Sequence, residues 1–189
     1  MGELKTDWVS RHKLTVDDYH RLGSAGILAE GDRVELVGGD LIDMAPIGSR
    51  HAGLINKIVR LLSGIDDDVA ILAIQNPVRL SLETEPQPDV ALLRPRVDFY
   101  TDKHPEPADI LLVIEVADAS LRYDREIKVP LYARYGIPEY WIVDIENRQV
   151  VVYCDPVNGD YGRVMNLDAT AKITPEFLPT VVFNVAALF

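Results

Sequence analysis

The sequence predicts an α/β protein, a mixed α+β sheet flanked by helices. Helical periodicity alternates with short apolar runs in the order hairpin, helix, strands, helix, strands. The run Ile110–Ile114 is wholly apolar and ends on an acid, Glu115, as a hydrophobic strand bearing one chemical group. Turn residues punctuate the runs at Gly38-Gly39, Gly64, Pro77 and Gly136.

Taken in order, Leu14-Thr15-Val16-Asp17-Asp18-Tyr19 opens a short helix. Thr15 is its N-cap, Asp18 stands at the third position after it, and the helix fades near Gly23. Residues 33–37 and 40–44 read as a hairpin, with Gly38-Gly39 supplying positive φ. From Ser49 to Ser63, Leu54, Ile58, Leu61 and Leu62 recur at helical spacing, with Ser49 as cap and Gly64 as stop. Residues 69–74 and 78–82 read as two strands joined near Pro77, followed by strands at 89–93 and 110–116. The proline- and charge-rich stretch 94–109 reads as a surface loop. Ser120 to Tyr135 is the second main helix, kinked at Pro130 and ended by Gly136, with Asp118 a candidate cap. Glu139–Asp144 and Gln149–Tyr153 form a hairpin across Glu146-Asn147, and short strands and turns follow to Phe189.

At 189 residues, 48% hydrophobic and 26% charged, residues 1–189 are expected to form one domain around a single core. The one cysteine, Cys154, excludes an internal disulfide and fits a reducing compartment. No run approaches the ~18 apolar residues of a membrane span, so a soluble, cytoplasmic protein is expected. Gly2 and Thr6 fit the loose myristoylation pattern, but no second anchoring signal accompanies them. No glycine-rich phosphate loop and no Gly-x-Ser-x-Gly elbow is present, which argues against nucleotide cofactors and serine chemistry. A net charge of −11 argues against tight non-specific DNA binding. Local basic stretches run against that total: Arg50, Lys57 and Arg60, then Arg122, Arg125, Lys128 and Arg134.

The chemistry concentrates in Asp89, which follows Pro88, in Glu115, and in Lys128 thirteen residues later. A carboxylate ending so apolar a strand must be paired, hydrogen-bonded or metal-bound, since burying it uncompensated costs several kcal/mol (roughly). Two carboxylates and an ammonium are the requirements of metal-assisted phosphodiester hydrolysis. A bound Mg²⁺ or Mn²⁺ lowers the pKa of its water and polarises the phosphoryl oxygen. Such hard cations take one or two carboxylates plus carbonyl and water oxygens. Asp89, Glu115 and the carbonyl of Val116 are the expected ligands. Lys128 is expected on the base side of the reaction, orienting the attacking water or stabilising charge on the phosphate.

These motifs, in this order, resemble those of the PD-(D/E)XK nuclease superfamily and, within it, the Uma-two family of restriction-endonuclease-like proteins. The resemblance rests on Leu14-Thr15-Val16-Asp17-Asp18-Tyr19, Val34-Glu35-Leu36-Val37-Gly38-Gly39, His51, Pro88-Asp89-Val90 and Val113-Ile114-Glu115-Val116. It closes with Lys128, Tyr132, Gly136 and Pro138-Glu139-Tyr140-Trp141-Ile142-Val143-Asp144. It implies a restriction-endonuclease-like core with added β-hairpins. It also adds two site residues: Glu35 as a further acid, and His51 as proton shuttle or phosphate contact. The superfamily's lysine usually lies two residues after the acid; here that position is Ala117, and Lys128 on the following helix matches the migrated lysine of this branch. Asp118-Ala119 replaces the family's serine-proline pair and adds negative charge beside the expected metal. Tyr132 reads as core packing that also reaches Lys128, and Tyr140 and Trp141 as core. His12, His20 and His104 show no partner spacing and receive no role.

The expected function is a Mg²⁺- or Mn²⁺-dependent endonuclease acting on DNA as a homodimer, since paired cuts on antiparallel strands suit two-fold symmetry. Two rivals stand beside it. One is a nuclease fold kept as a catalytically weak binding or assembly subunit, and the other a metal-assisted hydrolase of another phosphorylated substrate.

Overall fold

The computed structural model describes residues 11–29 and 31–189. The Gly2 and Thr6 acylation pattern lies outside them. The chain begins with α1 (Val16–Ser24), the hairpin β1 (Val34–Val37) and β2 (Asp40–Asp43), and α2 (Ser49–Leu62). Thr15 and Asp18 complete the capping box on α1: the Thr15 hydroxyl accepts from the Asp18 amide, and the Asp18 carboxylate accepts from the Thr15 amide. Gly38 (φ 57°) and Gly39 (φ 78°) make the turn between β1 and β2, a conformation costly for residues with a Cβ.

Six strands then build the central sheet: β3 (Ile71–Ile74), β4 (Val90–Leu93), β5 (Ile110–Ala117), β6 (Glu139–Asp144), β7 (Gln149–Val157) and β8 (Asp160–Leu167). They lie side by side in chain order. All neighbours are antiparallel except β5 and β6, which are parallel. A parallel pair requires a crossover. Here it consists of α3 (Leu121–Tyr123), a π-helical turn Asp124–Lys128, and α4 (Val129–Arg134). Two short strands, β9 (Lys172–Ile173) and β10 (Phe183–Asn184), pair near the C-terminus.

Strand alternation sends successive side chains of β5 and β6 into two separate cores. Ile114, Val116, Trp141 and Val143 meet Leu54, Ile55, Ile58 and Leu62 of α2. Val113, Ala117, Tyr140 and Ile142 meet Leu131, Tyr132 and Ala133 of α4. The sheet is thus sandwiched between two helical layers, and its central strands are apolar on both faces. Glu115 falls on the α4 side by the same alternation. The chain leaves α4 through Gly136 (φ 71°). The Gly136 amide donates to the Ala133 carbonyl and the Ile137 amide to that of Tyr132, the paired bonds of a Schellman stop.

Several sequence expectations change. Residues 78–82 are not a strand of the sheet: Val78 and Leu80 donate to Pro86 and Thr84 within a tight local loop, so their backbone needs are met there. Gly48, not Ser49, caps α2, and Ser63, not Gly64, ends it. Ser120, not Asp118, occupies the N-cap of α3. The second main helix is irregular upstream of Pro130 rather than simply kinked at it. The Val129 amide donates five residues back, to Asp124, and the wide turn absorbs the donor that Pro130 lacks. The loop 94–109 includes a 3₁₀ turn at Pro107–Asp109. Among the described residues, no helix is long and apolar enough to cross a membrane.

Candidate active site

Asp89 stands at the entry to β4, where Pro88 keeps the preceding backbone extended. Its carboxylate reaches across to β5: Oδ2 accepts from the Val116 amide at 2.9 Å and faces His51 Nε2 at 3.0 Å. In return, the Asp89 amide donates to Glu115 Oε2 at 3.2 Å. The two acids are therefore locked together through the ends of two adjacent strands. Gln75 Nε2 lies 3.4 Å from Asp89 Oδ1.

Glu115 faces the crossover. Its Oε1 accepts from Lys128 Nζ at 2.8 Å and from the Tyr132 hydroxyl at 3.2 Å. Lys128 also approaches Glu35 Oε2 at 3.4 Å. Glu35, on β1, accepts from the Tyr123 hydroxyl at 3.0 Å and from the Gln87 amide at 3.2 Å. Glu35, Glu115 and Lys128 are each no more than 4% exposed. His51 comes from the first turn of α2, on the opposite helical layer, and its Nδ1 is buried without a partner.

The residues Glu35, His51, Asp89, Glu115 and Lys128, singled out in the sequence, all line one cleft of about 420 Å³. Lys128 is buried although it lies on a helix, and Asp124, one turn before it, accepts from Ser120 at 2.7 Å. Tyr132 is fully buried in the core as expected, and its hydroxyl donates to Glu115, the residue that also binds Lys128, rather than to Lys128 itself. Asp118 opens onto the cleft. Tyr123, Gln87 and Gln75 are participants the sequence did not mark. Tyr123 meets Glu35 across 88 positions of chain, and no local pattern could have signalled that.

The electrostatics follow from burial and neighbours. Burial raises the Asp89 carboxyl, but His51, the Val116 amide and Lys128 outweigh it and hold it below its usual range. The hydrogen bond to Asp89 pushes the His51 imidazole up against the pull of burial. Burial pushes Glu115 up to about 8, with Lys128 opposing and Asp89 and Asp124 reinforcing. Burial also pulls on the Lys128 ammonium, yet Glu115 and Glu35 together push it well up. Lys128 is therefore an ammonium.

The donor set suits a hard divalent cation. The cleft holds the carboxylates of Glu35, Asp43, Asp89, Glu115, Asp118 and Asp124 against Arg33, Lys128 and His51. The upward push that burial puts on the Glu115 carboxyl is one that an ion at Asp89 and Glu115 would oppose. The Val116 carbonyl fits the set as well. The Ala117 carbonyl accepts from Ile145 on the β6 side, so alternation turns the Val116 carbonyl to the β4 edge, where Asp89 stands. All three are oxygen donors, as Mg²⁺ or Mn²⁺ prefers.

A family model described as "Uma2: Putative restriction endonuclease" matches residues 16–186. Among solved structures, one described as "a putative nuclease belonging to DUF820 from Anabaena variabilis ATCC 29413" has the same fold. The TM-score is 0.72 over 93% of this chain and 97% of that one, at 14% sequence identity. No curated protein sequence matches this chain.

Proposed function

Since this chain belongs to the Uma2 family, described as "Putative restriction endonuclease", we propose that it is a Mg²⁺- or Mn²⁺-dependent endonuclease that hydrolyses DNA phosphodiester bonds. One observation carries the reading: Asp89 and Glu115 are tied to each other through the ends of β4 and β5, with Lys128 2.8 Å from Glu115, in a single cleft. Asp89, Glu115 and the Val116 carbonyl would hold the ion, which supplies Lewis-acid polarisation of the phosphate and an acidified water.

The remaining roles belong to the chain. Lys128, kept an ammonium by Glu115 and Glu35, stabilises negative charge on the phosphate and orients the water rather than taking its proton. Tyr132 holds Glu115 in register, and Tyr123 holds Glu35. His51 donates to Asp89 through Nε2 in its protonated form. Its unpartnered Nδ1 is then a donor for a phosphate oxygen or a proton source for the leaving group. A homodimer would bring two such clefts to the two strands of a duplex. The free, buried Cys154 fits a cytoplasmic setting.

A second reading has its own support. Asp118 in the cleft and the net charge of −11 favour a nuclease fold retained for binding or assembly. Mn²⁺ titration and supercoiled plasmid separate the two. The nuclease reading expects Mn²⁺ binding that Asp89→Asn abolishes, and nicking lost in Asp89→Asn and Lys128→Ala. Absence of Mn²⁺ binding at millimolar ion would hand the case to the second reading. Equal nicking by wild type and Asp89→Asn would remove the cleft from the reaction.

A further inference from the structure

We propose a second divalent-metal site, of zinc type, formed by His20, Glu85 and His104 outside the cleft. Among the described residues, these three form the one group of three histidine, cysteine or acidic side chains with a donor atom from each lying within 4.8 Å of the others. None of them lines the cleft around Asp89. They come from α1, from the segment paired with β1, and from the loop 94–109, so no spacing in the sequence unites them.

The site is built before any ion arrives. Beside His20, the Tyr19 hydroxyl donates to the Val34 carbonyl at 2.8 Å and fixes α1 against β1. Glu85 is held by its own backbone, its amide donating to the Leu36 carbonyl at 2.8 Å. Beside His104, the Pro105 carbonyl accepts from the Arg79 amide at 2.8 Å and pins the loop. Each ligand thus sits on or next to an anchored residue, and ordering the site costs little additional entropy.

A second, independent observation points to a cation. Glu85 is 2% exposed, and one of its carboxylate oxygens, Oε2, is buried with no hydrogen-bond partner. Its other oxygen meets His20 Nε2 at 2.6 Å. A buried carboxylate satisfied on one side only is an incomplete arrangement. A metal ion completes it: in the neutral imidazole with its proton on Nδ1, His20 Nε2 gives its lone pair to the ion, and the Glu85 carboxylate gives another. Tetrahedral ligands at zinc distances are about 3.4 Å apart, so the His20–Glu85 pair opens slightly and His104 closes in.

The donor chemistry selects the ion. Two imidazoles and one carboxylate suit Zn²⁺ and its neighbours in the transition series, whereas Mg²⁺ and Ca²⁺ take oxygen donors. Three protein ligands leave a fourth position for water. The consequence for the fold is a staple joining α1, β1 and the loop 94–109. Because Glu85 pairs with Leu36, the residue after Glu35, the staple also steadies the strand that carries Glu35 into the cleft.

The test uses the full chain without an affinity tag, stripped with chelator, then titrated with Zn²⁺ and with Co²⁺ as a visible-absorbing stand-in. Wild type should bind one Zn²⁺ that excess Mg²⁺ does not displace, show Co²⁺ absorption bands of a four-coordinate site, and melt at higher temperature with Zn²⁺ present. The His20→Gln/His104→Gln variant should lose at least tenfold in Zn²⁺ affinity, the bands and the shift in Tm. His20 is half exposed, so the metal-free variant should melt like metal-free wild type. Glu85→Gln should weaken binding as well. Asp89→Asn, which lesions the cleft, and His12→Gln should keep all three signals. Unchanged Zn²⁺ affinity in the double histidine variant, or loss confined to Asp89→Asn, overturns the site; so does a wild type that binds no Zn²⁺. Failure of this site leaves the nuclease reading untouched, since the plasmid and Mn²⁺ assays address other residues.

Discussion

Lys128 keeps its buried position because two carboxylates share its charge, Glu115 at 2.8 Å and Glu35 at 3.4 Å. Removing one partner from a buried ion pair costs more than the pair itself contributes, since the survivor stays desolvated. Lys128→Met should therefore destabilise the protein by about 3–5 kcal/mol, read as a drop in the urea midpoint with unchanged m. Adding Glu115→Gln should restore part of that loss, because the second change removes the stranded charge. Strictly additive losses in this double-mutant cycle would mean that the two residues do not act as a unit. At this scale the sequence was informative where chemistry and context met in one short stretch. Glu115 at the end of Ile110–Ile114 announced itself, because an acid in so apolar a strand demands a partner. Tyr123, Gln87 and Glu85 gave no such sign. A tyrosine, an amide and an acid are ordinary surface residues until a fold brings them to a partner distant in the chain.

At the level of elements, the crossover shows how local rules and tertiary demand divide the work. Helical spacing and Pro130 gave a bent helix, but the π turn answers to the site. In a regular α-helix, residues five apart lie about 140° from each other around the axis. Tyr123 and Lys128 are five apart, yet both reach Glu35. The wider π turn brings such positions to one side. That requirement lives in β1 and β5, not in the helix's own residues, which is why periodicity alone missed it. The hairpin of β1 and β2 is the opposite case, because its turn chemistry is local. Both glycines have positive φ, but their surroundings differ. A Cβ on Gly38 would meet open space, whereas one on Gly39 would stand 2.5 Å from Lys13 Cβ and 3.1 Å from the Leu14 amide nitrogen. Gly39→Ala should cost about 2 kcal/mol or more, strain and clash together, and Gly38→Asn under about 1 kcal/mol. Urea melts of the two variants decide it, and equal losses would show that the close approach of residues 13–14 does not matter.

Across the whole molecule, the topology brings two carboxylate-bearing strand ends, a hairpin acid and residues from both helical layers to one edge of the sheet. The order of most strands and helices was legible in the sequence, because apolar runs and turn residues report local burial; the parallel pairing of β5 and β6 was not. Which strands neighbour one another, and that residues 78–82 stay outside the sheet, depend on pairings with no local trace. Charge has the same two-level character. The total is −11, and the cleft repeats the excess, with six carboxylates facing Arg33, Lys128 and His51. A DNA phosphate entering that cleft meets net repulsion unless a divalent ion is already there. If the proposed nuclease reading holds, the ion should therefore be required for DNA binding as well as for cleavage. In EDTA, a labelled duplex should bind at least tenfold more weakly than in Ca²⁺, which supplies the charge with oxygen-ligand preferences close to those of Mg²⁺. Because few cations line the cleft, the salt dependence in Ca²⁺ should be shallow, with a slope of roughly −2 to −3 rather than the −5 or steeper of a basic groove. Fluorescence anisotropy across a potassium chloride series reads both quantities. Asp89→Asn should bring the Ca²⁺ and EDTA curves together by removing the ion's ligand. Equal affinity in EDTA and Ca²⁺ for wild type would instead place the DNA on the basic stretches around Arg50 to Arg60, away from the carboxylates.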